Sequence, residues 1–175
     1  YYWFIGLPGT GKTLLLYDLA MKLSGRQKVC LIHCGRAGKE WRILHERLRR
    51  IDYLSDEQIH ENMDLSEYNG VLIDEAHLLS EENLQMILQA CGQQPVIFSS
   101  DCEDMLSPEE LDQNTVKAMR HLPEMQTYHL TNRIRTNAEL SSFIQNMMHL
   151  PKLRYTRNYP HITVFYANDE IEAEN

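Results

Sequence analysis

A glycine-rich segment near the start of the chain, residues 6–13 with the sequence GLPGTGKT, constrains the fold more than any other feature. It follows a short β-branched and aromatic run at residues 1–5 and precedes an apolar stretch at residues 13–23 that is typical of a buried helix. The pattern G-x-x-x-x-G-K-[ST] between a strand and a helix predicts a Walker A loop, in which main-chain N–H groups and a helix N-terminus cradle phosphates. The residues predicted to bind the phosphates are Gly6, Pro8, Gly9, Thr10, Gly11, Lys12 and Thr13.

Two side chains of this loop have separate predicted roles. Lys12 places a point charge on the β and γ phosphates of a nucleotide, and the hydroxyl of Thr13 ligates Mg²⁺. The alternative is a glycine turn with an exposed lysine, which the strand before the loop and the helix after it disfavour.

Two adjacent acids follow the apolar run at residues 71–73. A buried strand brings Asp74 and Glu75 to its carboxyl end, where one carboxylate can hold Mg²⁺ and the other can orient and deprotonate a water molecule. We assign Asp74 to the metal and Glu75 to the water, which makes this segment the predicted Walker B motif. His77 has two open interpretations: it couples this site to another surface, or it caps the loop.

Apolar runs typical of strands alternate with segments of helical period. Strands are predicted at residues 1–5, 28–32, 70–73, 95–98, 128–130 and 162–166. Helices are predicted over 13–23, 84–91, 108–121 and after Thr136, and through the helical spacing of Trp41, Leu44, Leu48 and Ile51. This alternation predicts a three-layer α/β fold with a mostly parallel central sheet flanked by helices, and a ligand site beyond the carboxyl ends of the strands.

Charge is distributed unevenly along the chain. The formal net charge is −8, but residues 1–50 carry ten Lys/Arg against three Asp/Glu, and residues 51–116 carry sixteen acids and no Lys or Arg. This balance disfavours a basic nucleic-acid module as a whole. The acidic part is interpreted as a solvated surface with some catalytic carboxylates, and the alternative is a face that repels polyanions or docks a basic partner.

The four cysteines are scattered and lack the spacing of a disulfide framework, so we expect reduced thiols and a cytoplasmic location. Cys30, His33 and Cys34 are either residues of a buried strand or metal ligands. Their apolar surroundings and the lack of a second ligand pair favour the strand. No apolar run approaches the roughly 20 residues of a membrane-spanning helix, so no membrane association is expected.

Three motifs together resemble the ATPase core of superfamily 1 helicases and their uncharacterised bacterial relatives, P-loop ATPases with a RecA-like fold. The motifs are the glycine loop, Asp-Glu-Ala-His at residues 74–77, and LTNRIRT at residues 130–136 followed by Leu140. The resemblance covers residues 6 to about 145 and implies ATP and Mg²⁺ as ligands. It also implies that Arg135 supplies a cation to the γ-phosphate, with Arg133 as the alternative arginine.

The chain departs from this family after the run at residues 96–98. Helicases of this kind carry G-D-x-x-Q there, and the glutamine senses the γ-phosphate. In this chain Asp101 matches, Ser100 replaces the glycine and Asp104 replaces the glutamine. A carboxylate cannot donate the hydrogen bond of an amide, so we expect Asp104 to be a loop residue without the sensor role.

Residues 35–42 follow the second predicted strand, where related helicases contact single-stranded nucleic acid. Arg36, Lys39 and Arg42 could bind phosphates, or they could be solvated surface residues. Trp41 could stack on a base, but its phase with Leu44 favours the core.

The leading hypothesis is an ATP-binding and Mg²⁺-dependent ATP-hydrolysing domain of helicase type. We expect a RecA-like domain over residues 1–130, and over residues 131–175 the start of a second lobe or an extension of the same domain. Single-stranded DNA or RNA and a second RecA-like lobe or partner subunit are the expected partners. The rival hypothesis is a nucleotide-dependent switch or assembly ATPase without helicase activity, and a small-molecule kinase is disfavoured by the paired acids and the arginine segment.

Overall fold

The computed structural model of the chain describes residues 1–25, 27–35, 48–112 and 115–131. The predictions for the strand at 162–166 and for the helix after Thr136 lie outside these residues. Residues 41–47, for which helical spacing was predicted, also lie outside them.

Six strands form one sheet in the described part of the chain. They are β1 (Tyr2–Gly6), β2 (Val29–His33), β3 (Ile51–Ser55), β4 (Val71–Asp74), β5 (Val96–Ser100) and β6 (Gln126–Leu130). The order across the sheet is β3-β2-β4-β5-β1-β6, and every neighbouring pair is parallel. The predicted α/β fold with a parallel central sheet is confirmed, because five of these strands coincide with predicted apolar runs to within a few residues.

Helices cover both faces of the sheet. They are α1 (Lys12–Leu23), α2 (Glu81–Cys91), α3 (Pro108–Asp112) and α4 (Thr115–Arg120). Leu16 and Ala20 of α1 pack in one core cluster with Leu31 and Leu72 of the sheet. The second cluster contains the neighbouring strand residues Ile32 and Ile73 together with Leu84 and Ile87 of α2 and Val116 and Met119 of α4. Successive strand side chains point to opposite faces, so α1 lies on one face and α2 and α4 lie on the other.

The central strands are apolar because both of their faces are covered. Residues 29–32 and 71–74 are all buried. A strand that is buried on both sides shows a continuous apolar run rather than an alternating one, which is the signal that predicted these strands.

Serines begin two of the helices. The side chain of Ser80 accepts a hydrogen bond from the main-chain N–H of Asn83 at the start of α2. At α3 the N–H of Ser107 donates to Glu110 Oε2 at 2.6 Å, and the N–H of Glu110 donates to Ser107 Oγ at 3.3 Å. This reciprocal pair is a capping box, which a serine followed three residues later by a glutamate favours at the start of a helix. The single helix predicted over 108–121 is described as two segments, α3 and α4.

The helical period assigned through Ile51 is wrong at its last residue. Ile51 begins β3, is 1% exposed and pairs with Val29 of β2. Residues 52–55, too polar for a strand to be predicted, complete β3 at the edge of the sheet. An edge strand has one neighbour only, so its side chains can be more polar than those of a central strand.

Among the described residues, no helix has both the length and the apolar character needed to cross a bilayer.

Replacement of Leu16 by alanine is expected to lower the free energy of unfolding by about 2–5 kcal/mol, because the leucine side chain is fully buried where α1 packs on the sheet. Leu14 is the matched control, since it lies on the same helix but is 59% exposed. Leu14→Ala should change stability by less than about 0.5 kcal/mol. Urea denaturation of both variants measures the difference, and equal losses would show that α1 does not pack as described.

Candidate functional site

The position of β5 brings the predicted motifs together. β5 lies between β1, which leads into the glycine loop, and β4, which ends at the paired acids. All three strands are parallel, so their carboxyl ends meet at one edge of the sheet. The loop at residues 6–13, the acids at 74–75 and the segment at 99–101 therefore form one site.

The glycine loop has the backbone that its sequence predicts. Gly9 and Gly11 have φ values of 80° and 86°, in the left-handed region that favours glycine. A Cβ at Gly6 would lie 2.5 Å from Thr10 Oγ1 and 2.9 Å from the carbonyl oxygen of Leu130, so this position also admits only glycine without a shift.

The N-terminus of α1 is open to an anion. Gly11 provides no side-chain cap, and the first turn of the helix contains no acidic residue. The unpaired N–H groups and the positive end of the helix dipole are therefore available to a phosphate. These features fit the phosphate group of a nucleotide.

Lys12 is buried at the centre of the site with only 6% exposure. Its Nζ donates to the carbonyl oxygens of Gly6 at 3.1 Å and Leu7 at 3.3 Å. It also forms an ion pair with Asp101 Oδ1 at 2.6 Å. The carbonyl oxygens of the glycine loop hold the Lys12 ammonium group beside that loop, and the carboxylate of Asp101 balances the charge of the lysine.

Asp74 is a buried carboxylate held by several donors. Ser99 Oγ donates to Asp74 Oδ1 at 2.5 Å, and His33 Nδ1 lies 3.5 Å from Asp74 Oδ2. Burial raises the pKa of Asp74, but hydrogen bonds from His33, Ser99 and Thr13 outweigh it and hold the pKa below its usual value. The carboxylate is therefore ionised, and with the hydroxyl of Thr13 it offers the oxygen ligands that Mg²⁺ prefers. The two predicted metal ligands lie together.

Glu75 differs from its neighbour in both backbone and charge. Its φ of 54° places a non-glycine residue in the left-handed region, a conformation that costs free energy and is found at functional sites. Burial, together with the nearby charges of Asp74 and Asp101, raises the pKa of the Glu75 carboxyl. A carboxylate with a raised pKa is a stronger base, which suits the predicted role of activating water.

His77 connects this site to α3. The side chain is 5% exposed, and its Nδ1 accepts a hydrogen bond of 3.4 Å from the main-chain N–H of Asp101. Its Nδ1 lies 3.7 Å from Glu75 Oε2, and its Nε2 lies 3.9 Å from Glu110 Oε1. Burial lowers the pKa of His77 and favours the neutral ring. These contacts join the segment after β4 to the residue after β5 and to α3, and both interpretations of His77 stay open.

The metal-ligand interpretation of Cys30, His33 and Cys34 is not supported. Cys30 and Cys34 are buried, and burial raises the pKa of both thiols, that of Cys30 to about 12. Within the described ranges, the three residues do not form a group that could hold a metal ion. Cys30 and His33 are residues of β2, and Cys34 directly follows it.

Three site residues had no role at the nucleotide site assigned from the sequence. Ser99 and His33 hold Asp74, and Asp101, which was identified only as a match to a helicase motif, pairs with Lys12. The available signal was the polar end of the run at residues 96–101, but its meaning depends on knowing that β5 lies between β1 and β4.

Several predicted residues lie outside the described part of the chain. They are Arg133 and Arg135, together with the residues predicted to contact single-stranded nucleic acid, Arg36, Lys39, Trp41 and Arg42. Their roles remain predictions, and the side chain of Asp104 is likewise not described.

Comparison with known proteins identifies a family and finds solved structures that are similar to this chain. A sequence model of the family described as "Schlafen group 3, DNA/RNA helicase domain" matches residues 3–173. A solved structure, the crystal structure of the Pyrococcus furiosus Hef helicase domain, is similar to this chain with a TM-score of 0.49 and 12% sequence identity. The similarity covers 73% of this chain and 34% of the Hef chain, so this chain spans about a third of that relative. No curated protein matches the chain.

Ser99→Ala is expected to lower the free energy of unfolding by about 1–3 kcal/mol, because the buried Asp74 carboxylate loses a donor that water cannot replace. Ser66 provides a matched control, since its hydroxyl donates to Asp64 Oδ1 at 2.6 Å on the exposed surface. Ser66→Ala should leave thermal and urea denaturation unchanged within error. Equal behaviour of the two variants would contradict the role given to Ser99.

Proposed function

The chain belongs to the Schlafen group 3 DNA/RNA helicase domain family, and from this premise and the geometry of the site we propose that it binds ATP with Mg²⁺ and hydrolyses it. Family membership makes the chain a helicase-like P-loop domain. ATP as the nucleotide, its hydrolysis and action on nucleic acid are the further steps of the proposal.

The observation that carries the proposal is the convergence of the two motifs through β5. Lys12 contacts Asp101 directly after β5, and Asp74 accepts a hydrogen bond from Ser99 of β5. The phosphate loop and the paired acids are thus adjacent in space although about 60 residues separate them in sequence. A P-loop nucleotidase needs this adjacency, because the lysine and the metal ligands act on the same phosphates.

The glycine loop and Lys12 bind the phosphates in this proposal. The residues of the cradle are Gly6, Pro8, Gly9, Thr10, Gly11, Lys12 and Thr13. Asp74 and Thr13 would hold Mg²⁺, which when bound neutralises charge on the β and γ phosphates. The buried hydrogen bonds to Asp74 keep its carboxylate ionised and fixed, so the ligand is preorganised.

Glu75 acts on the attacking water. It orients the water and accepts a proton while the water oxygen bonds to the γ-phosphorus. The bond from that phosphorus to the bridging oxygen breaks, and the products are ADP and inorganic phosphate. We propose Arg135, or Arg133 in its place, as the cation that neutralises charge on the transferred group.

The proposed setting is a larger helicase of superfamily 1 type. Residues 1–130 form the ATPase domain, and residues 131–175 begin a second lobe or extend the first. Single-stranded DNA or RNA is the proposed substrate of the assembled enzyme. The four cysteines are all free thiols, which supports a reducing compartment such as the cytoplasm.

A nucleotide-dependent switch is the alternative, and the charge at the site edge favours it. Asp56 and Glu57 follow β3 at the edge where the site lies. Acidic groups repel a polyanion, so this part of the edge is a poor surface for nucleic acid.

Glu75→Gln is expected to retain ATP binding and to lower the rate of hydrolysis by about 100-fold or more, because the amide cannot accept the proton from water. Lys12→Ala should abolish binding, and Lys22→Ala, which removes an exposed lysine from the same helix, is its matched control. Phosphate release and calorimetric titration of ATP measure the two effects. Normal turnover in Glu75→Gln would show that another group activates the water.

Turnover with and without single-stranded DNA or RNA separates the two proposed functions. A helicase-type domain is expected to hydrolyse ATP faster when oligo(dT) or oligo(U) is added, since strand binding completes the site. The measurement is steady-state phosphate release at saturating ATP, with duplex DNA as the control. Tight ATP binding with turnover that no nucleic acid stimulates would favour the switch.

A further inference from the structure

All three donors of the Lys12 ammonium group are occupied within the protein. An ammonium has three N–H groups, and Nζ has three acceptors: the carbonyl oxygens of Gly6 and Leu7 and the carboxylate of Asp101. The Asp101 contact is the shortest, at 2.6 Å, and it is the one that involves an opposite charge. Acceptors of the protein itself therefore satisfy all three donors of Lys12.

A phosphate that binds Lys12 must replace one of these acceptors. The carbonyl oxygens of Gly6 and Leu7 belong to the loop that carries the phosphate cradle, and they are neutral. Asp101 comes from another part of the chain and carries negative charge, so it competes directly with a phosphate for the same cation. At short range two anions around one lysine also repel each other.

We propose that Asp101 gates the phosphate site: its carboxylate holds Lys12, and a nucleotide binds only when a phosphate displaces this carboxylate. The inference rests on the proposed function, because it concerns the same phosphate loop. It assigns Asp101 as a regulatory residue that lowers nucleotide affinity rather than as a ligand of the nucleotide.

The backbone of Asp101 is fixed, so the gate opens by movement of its side chain. The N–H of Asp101 donates to His77 Nδ1, and its carbonyl oxygen accepts a hydrogen bond of 3.0 Å from Ser100 Oγ. Ser100 Oγ in turn accepts a buried hydrogen bond of 2.9 Å from Trp3 Nε1. The Asp101 side chain is 20% exposed, so rotation can bring the carboxylate into water without loss of these contacts.

The direct test compares ATP affinity in Asp101→Asn and in a charge-matched control. Asp101→Asn keeps the shape of the side chain but removes the charge that competes with phosphate, so Kd for Mg²⁺-ATP should fall about tenfold. Glu103→Gln removes one charge two residues away from a side chain that pairs with Arg120 on the surface. It should leave Kd within about twofold of the unsubstituted chain. Isothermal titration calorimetry measures all three proteins, and an unchanged or higher Kd in Asp101→Asn would overturn the gate.

A second measurement needs no nucleotide. Without its carboxylate partner, the Lys12 amine should react severalfold faster with an acylating reagent in Asp101→Asn, as followed by mass spectrometry of the Lys12 peptide. Equal labelling rates in Asp101→Asn and the unsubstituted chain would show that the ion pair with Asp101 does not hold Lys12.

The outcomes separate the gate from the proposed function. If Lys12→Ala abolishes ATP binding but Asp101→Asn does not strengthen it, the function stands and the gate is wrong. If Asp101→Asn binds ATP and the unsubstituted chain does not, both stand. If ATP binds neither the unsubstituted chain nor any variant, or if it binds Lys12→Ala normally, the proposed function is wrong. The proposal for Asp101 is then wrong as well, because it rests on that function.

Discussion

The site depends on one feature of the sheet, the insertion of β5 between β1 and β4. Because the three strands are parallel, the glycine loop, the paired acids and the segment at 99–101 are brought to the same edge. β5 and the residue directly after it supply the side chains that join the two motifs: Ser99 donates to Asp74, and Asp101 pairs with Lys12. Without this strand order the two motifs would share a fold but not a site.

The local electrostatics at the carboxyl edge of the sheet differ between the adjacent carboxylates of Asp74 and Glu75. Hydrogen bonds hold the pKa of Asp74 low despite its burial, whereas burial and nearby negative charge raise the pKa of Glu75. Two neighbouring acids whose environments shift their pKa values in opposite directions are suited to different roles, one as a permanent anion for a metal and one as a base. The left-handed backbone at Glu75 lets consecutive residues occupy such different environments.

The sequence was most informative where a local rule applied. The glycines of the loop, the apolar runs of β2 and β4 and the capping box at Ser107 each follow from short-range chemistry, and each is present. The prediction at Ile51 was wrong because this residue continues the helical spacing of the apolar residues before it in sequence, yet it begins β3. The partners of Lys12 and Asp74 could not be predicted, since strand order is a long-range property that the chain encodes only through packing.

The central claim is that Lys12, Thr13, Asp74 and Glu75 act on one Mg²⁺-bound nucleoside triphosphate. A crystal structure of the chain with Mg²⁺ and a non-hydrolysable ATP analogue tests it most directly. We predict that the phosphates lie in the loop at residues 6–13, that the ion lies between Thr13 and Asp74, and that Lys12 has exchanged Asp101 for a phosphate oxygen. An analogue bound elsewhere, or phosphates in the loop with no ion near Asp74, would contradict the account.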